Sequence, residues 1–303
     1  MIPLQSLGAA PMARFDILHE IERLDAVTDH QRIVHLSFGY EFPWDSIRAL
    51  EIALYRTYCV PSISALLDRT GEFHQNTQRR YDDTSILVAE MCEWGYENGR
   101  GTEALERMNW AHGHFRIAND DFLYVLSTFI FEPVRWIDAV GWRPTSRNER
   151  LGYYYFWRAI GGRMGITGIP PSYDAFEAWS RDYERRHFRF ADTNHRIAVS
   201  TRDLFASWFP RIATPIVRYS IYAMLDEAMI ASFGFPKPLP LTRPLLRSAL
   251  KLRGRAVRWL PPRKTAHFFT DNRNRTHPDG YEISRLGPPK LVAAAEKRAK
   301  SEV

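Results

Sequence analysis

Residues 119–136 read NDDFLYVLSTFIFEPVRW, and from Phe122 to Phe131 this run is apolar on nearly every side of a helix. Asp120 and Asp121 fall in its first turn, where negative charge favours the helix dipole, and Asn119 is placed to cap it. A helix that is apolar all round belongs in the middle of a helical assembly. Ser127 and Thr128 are therefore expected to be buried. Pro133 interrupts the ladder, and Glu132 and Arg135, three residues apart, are spaced to pair.

Working outward, the rest of the chain also reads as helix. Helical patterns cover 16–24, 44–58, 62–69, 83–96, 102–117, 120–140, 146–164, 173–188, 201–208, 215–231 and 243–260. Pro61, Gly71, Gly141, Pro170-Pro171 and the proline-rich stretch 236–244 punctuate them. No stretch alternates as a strand does, and no period of 20–50 residues recurs. The expected fold is all-α, a helical bundle around a central apolar helix. Residues 1–260 form one helical domain in this reading, and 261–303 a partly ordered Pro/Arg-rich extension.

Composition agrees. The chain has 303 residues, 45% hydrophobic and 25% charged, which excludes bulk disorder and low-complexity scaffolds. Aromatics reach 14%, enough to line a large apolar pocket or simply to fill a core. Cys59 and Cys92 cannot make a disulfide framework, and a reducing compartment is the default. Residues 1–7 lack the positive lead of a secretory signal, and no apolar run is long enough to span a bilayer. The expectation is a soluble, cytoplasmic protein.

The net charge of +6 is uneven. Between Ala228 and Thr270 there are nine Lys or Arg and no acid, so the remainder of the chain is net acidic. Within residues 237–264 the basic side chains interleave with leucines and Trp259. Such a segment suits an anionic membrane surface or an acidic partner, or is an ordinary solvated helix face. No nucleic-acid module accompanies it, so nucleic acid is not an expected partner.

Two further helices meet the central one through polar residues on apolar stripes. Leu105, Met108, His112 and Phe115 follow each other at 3, 4 and 3, which puts His112 inside an apolar face. His114, about 200° away, shares the opposite side with Arg107 and Trp110. Thr84, Leu87, Met91 and Trp94 repeat the same spacing, and Arg80 joins Thr84 if that helix extends one turn upstream. A His on such a stripe is either a satisfied core residue or a ligand to haem iron. A buried Arg needs a charged partner.

Other chemistries are less well supported. Asp16/His19 and Glu184/His187 are carboxylate–histidine pairs at i, i+3, the unit of a non-haem di-iron bundle, or else ordinary surface pairs. The glycines 161, 162 and 165 follow a helix, not a strand, so they read as a close-packed helix end rather than a phosphate loop. Gly-x-Ser-x-Gly, Walker and His-Glu-x-x-His motifs are absent.

The runs 81–84 (YDDT), 107–117 (RMNWAHGHFRI), 119–136, and 155–166 (YFWRAIGGRMGI) with the following Ile169-Pro-Pro resemble the MpaB-like oxygenases, a family that includes the latex-clearing rubber oxygenases. The resemblance covers about residues 40–235. It implies a globin-like fold with non-covalent haem b, and an oxygenase using dioxygen to cleave C=C bonds of an apolar, isoprenoid-like substrate. Carried over, His112 is the iron ligand, Arg80 and Thr84 are the catalytic pair that also borders the haem, and Thr128 lies near the haem pocket. Two departures stand out. Asp83 replaces the Lys that precedes the Thr in latex-clearing proteins, and their upstream acid has no clear match here, Glu72 being no more than a candidate. A non-haem di-iron oxygenase and a non-catalytic scaffold that binds membranes or partners remain the alternatives.

Overall fold

The computed structural model describes residues 13–301; the chain start, read above as lacking a signal, lies outside them. Helices α1 (Asp16–Arg23), α2 (His30–Leu36), α3 (Pro43–Thr57), α4 (Pro61–Thr70), α5 (Glu72–Gln75), α6 (Thr77–Trp94) and α7 (Arg100–His112) form the first half. The second half comprises α8 (Asn119–Val140), α9 (Arg147–Arg163), α10 (Tyr173–His187), α11 (Asp192–Ser207), α12 (Thr214–Met224), α13 (Glu227–Phe233), α14 (Thr242–Arg258) and α15 (Pro289–Ser301). The fold is all-α, and no strand occurs among the described residues. No described helix is long and apolar enough to cross a membrane.

Helix α8 occupies the position its composition demands. It packs on α3, α9, α10 and α14, and its residues from Leu126 to Val134 are all buried. Gly161 brings α9 against it, since a Cβ there would stand 2.5 Å from Leu126 Cδ2. Helix α9 then ends in a Schellman turn. Ile166 N donates to Gly161 O at 2.9 Å and Gly165, at φ +76°, supplies the left-handed residue. The glycine cluster is therefore the close-packed helix end expected from its context.

Charge also binds the core. Arg56 of α3 meets Glu184 of α10 at 2.6 Å, Asp226 before α13 at 2.5 Å and Glu132 of α8 at 3.6 Å. Glu132 pairs with Arg135 as its spacing predicts.

Several boundaries differ from the sequence reading. Asn119 does not cap α8; it is the first helical residue, and its side chain accepts from Thr167 N at 2.9 Å. The helix predicted over 102–117 stops at His112. Helix α6 begins at Thr77 and α11 at Asp192, each several residues early, and Asp226 splits 215–231 by capping α13 through Met229 N.

The segment after α14 has no long element until α15, yet it is tied to α6 and α7. Asp83 accepts from Gly287 N at 2.9 Å and contacts His277 Nε2 at 2.7 Å. Asp82 accepts from Thr276 N, Glu90 from Tyr281 OH, and Glu93 from Thr270. Arg107 donates to Leu286 O. Phe268, Ile283 and Leu286 of this segment complete the main apolar core.

Candidate active site

Helices α3, α4, α6, α7, α8 and α11, with α5 and Trp157 of α9, enclose a cavity of about 410 Å³. Its walls are largely apolar: Met108, Phe115, Phe122, Leu126, Phe129 and Trp157 contribute. Gly287 and Pro288 of the C-terminal segment border it as well.

Into this apolar room project Arg80, Thr84 and His112. Extension of α6 upstream to Thr77 puts Arg80 one turn before Thr84. Arg80 Nη1 donates to Thr84 Oγ1 at 2.6 Å, and Thr84 Oγ1 donates back to the Arg80 carbonyl at 2.8 Å. Among the described residues Arg80 has no carboxylate within 4 Å; the Phe73 ring lies 5.9 Å from its Cζ.

His112 is the last residue of α7, where the chain turns away at Gly113. Its ring meets Phe122 edge-on at 5.2 Å. Neither ring nitrogen makes a hydrogen bond among the described residues, and Nδ1 is fully buried without a partner. Burial, and then the positive charge of Arg80, push its pKa down to about 4. At neutral pH His112 is thus an uncharged imidazole with lone-pair capacity to offer, the protonation state a metal requires. A satisfied core histidine would have a partner, and this one has none. His114 points elsewhere: it is exposed, packs on Trp110 at 4.8 Å and binds the Trp110 carbonyl through Nδ1.

Thr128 is not brought to the cavity. It is buried in α8 with its hydroxyl bonded to Val125 O at 2.7 Å, and it is not among the lining residues. Glu72 does line the cavity, where it accepts from Asn76 Nδ2 at 3.0 Å. Asp83 borders it too, but its carboxylate is committed to the C-terminal segment.

Two lining residues escaped the sequence reading. Glu51 of α3 reaches the wall, accepts from Tyr81 OH at 2.5 Å and pairs with Arg48; burial raises its pKa against both. Trp157 stacks on Phe129 at 4.8 Å and buries an indole N–H with no partner. Glu51 carries no spacing signal. Trp157 sits inside the 155–166 motif, which was its available cue.

The di-iron alternative fails on geometry. Among the described residues no three His, Cys, Asp or Glu side chains stand together as metal ligands. Glu184 is instead held by Arg56 and Tyr124, and His187 stacks on Tyr183 at 4.1 Å.

Residues 49–259 match the family model described as "ER-bound oxygenase mpaB/B'/Rubber oxygenase, catalytic domain", and the chain belongs to that family. Its relatives include the ER-bound oxygenase mpaB of Penicillium brevicompactum, 32% identical over 77% of this chain and 57% of that protein. The mpaB' of the same organism is 29% identical over 77% of this chain and 59% of its own length. The mpaB of Penicillium roqueforti is 30% identical over 62% and 70% respectively. The chain therefore spans less than two thirds of the two Penicillium brevicompactum proteins.

Proposed function

We propose that this protein is a haem b-dependent oxygenase that uses dioxygen on an apolar, isoprenoid-like small molecule. The observation that carries this reading is His112: a neutral imidazole without a hydrogen-bond partner, on the wall of a 410 Å³ apolar cavity that also holds Arg80 and Thr84. Family membership supports oxygen chemistry as the reaction class.

His112 would hold the haem, and the bound haem would supply the redox-active iron for dioxygen activation. The chain's own residues do the rest. Arg80 directs fixed N–H donors at negative charge that develops in the cavity, and Thr84 keeps the guanidinium oriented. Phe115, Phe122, Phe129 and Trp157 exclude water and receive an apolar chain. Among the carboxylates that line the cavity, Glu51 has its pKa raised by burial, which favours it as the proton acceptor.

The test is an absorption spectrum and pyridine haemochrome assay on protein expressed with added haem. A strong Soret band at near-stoichiometric haem is expected, with loss of that band and retention of helical circular dichroism in His112→Ala. Absence of haem in the wild type, or full haem content in His112→Ala, refutes the assignment of His112.

A further inference from the structure

Helix α14 has three faces, not two. At 100° per residue Leu246, Leu250 and Val257 share one side, which packs on α12 and α8. Gly254 allows the close approach, because a Cβ there would meet the Val140 and Gly141 carbonyl oxygens at 2.6 and 2.7 Å. Arg247, Lys251, Arg255 and Arg258 follow along a second side. Leu245, Ala249, Leu252, Ala256 and Trp259 form a third, and it faces solvent: Leu245 is 68%, Leu252 66% and Trp259 87% exposed.

The basic residues of this helix divide in the same way. Arg253 pairs with Asp45 at 2.8 Å and Arg243 pairs with Glu227. The four cations of the second face have no carboxylate within 4 Å among the described residues. Helix α12, packed alongside, leaves Ile216 and the preceding Ile212 exposed at 72% and 90%.

An uncovered apolar stripe about 21 Å long, bordered by unpaired cations, is unfavourable in water alone. We propose that α14 is a membrane-docking helix that lies in the plane of an anionic lipid surface. Leu245, Leu252 and Trp259 would enter the acyl boundary while Arg247, Lys251, Arg255 and Arg258 contact lipid headgroups. The side-by-side order of an exposed apolar stripe and a row of unpaired cations matches the acyl boundary and anionic headgroups of a bilayer. Charge disfavours a second copy of this chain, which would bring four cations against four. The proposal does not depend on what occupies the cavity.

The test is co-sedimentation of the full chain with vesicles of phosphatidylcholine alone and with one third phosphatidylserine. Binding to the anionic vesicles, weakened by 0.5 M salt, is expected. Lys251→Glu/Arg255→Glu should weaken it by at least about tenfold, and Leu252→Glu/Trp259→Glu should abolish it. Both variants change exposed side chains, so helical circular dichroism and melting temperature serve as the check on folding. No binding to anionic vesicles overturns the proposal. So does binding that survives Leu252→Glu/Trp259→Glu. A dimer in sedimentation velocity that is lost in Leu252→Glu also overturns it, because a second copy would then cover the stripe.

Discussion

Arg80 and Thr84, one helical turn apart on α6, satisfy each other: the guanidinium donates to the hydroxyl at 2.6 Å, and the hydroxyl donates to the Arg80 carbonyl at 2.8 Å. The threonine thereby fixes the direction of a cation that has no carboxylate among the described residues. Thr84→Val keeps the volume and removes both bonds. Dioxygen uptake by haem-loaded protein with an isoprenoid test substrate should fall about tenfold, and by about 100-fold in Arg80→Gln. Equal rates in Thr84→Val and wild type would show that Arg80 needs no orienting partner.

The depressed pKa of His112 makes apo-protein stability depend on pH. Its folded value, about 4, lies below the ordinary 6.5, so between those values the unfolded chain binds more protons. Stability attributable to His112 is full above pH 6.5, falls as pH drops towards 4, and is lost below it. The amplitude is up to about 3 kcal/mol. Urea denaturation of wild type and His112→Phe across pH 4–7 measures it, and wild type should lose stability relative to the variant towards acid. In Arg80→Gln, an NMR titration should find the His112 pKa raised but still below 6.5, since burial remains.

Arg56 is the shared counter-charge for carboxylates of three separate segments, and its surroundings hold its own pKa up while drawing that of Asp226 down. Arg56→Leu takes the counter-charge from the largely buried Glu184 and from the exposed Asp226, and leaves Glu132 to Arg135 alone. A loss of about 3–5 kcal/mol is expected, since removing one member leaves buried charge uncompensated. Denaturant midpoints at pH 7 and pH 5 check the origin, as protonating the stranded acids should recover part of the loss.

Residues 261–288 contribute Phe268, Ile283 and Leu286 to the core, and each such side chain is worth about 1.5–3 kcal/mol. A chain stopped after Leu260 should therefore lose most of its stability. Asp83→Asn, a milder change, should leave the fold intact but raise the rate of limited proteolysis within 270–288. Unchanged proteolysis would show that Asp82, Glu90 and Glu93 suffice to hold the segment.

The centre of the molecule was legible because periodicity there is strong. The apolar run 122–131 located α8, and the 3, 4, 3 spacings selected His112 over His114 and put Thr84 with Leu87 on the cavity side of α6. Polar helix starts were not legible. The starts of α6 and α11 carry polar residues whose partners are distant: Asp82 binds Thr276, and buried Asn194 bonds the carbonyls of Cys59 and Ser232. Partners so distant in sequence leave no local trace. Glu51 was invisible for the same reason: only the packing of α3 on α8 turns it into the cavity. Thr128 came from resemblance alone, and its hydroxyl serves its own helix.

The cavity wall also sets an order of events. Its lining runs in the chain from Glu51 to Pro288, so on the ribosome the wall remains incomplete until residue 288 has been made. The carboxylates of α6 wait for partners that emerge some 200 residues later, such as Gly287 for Asp83. Contacts of such long separation close late in folding. A nascent chain that has not yet produced residues 261–288 therefore presents the cavity with one side of its wall unmade.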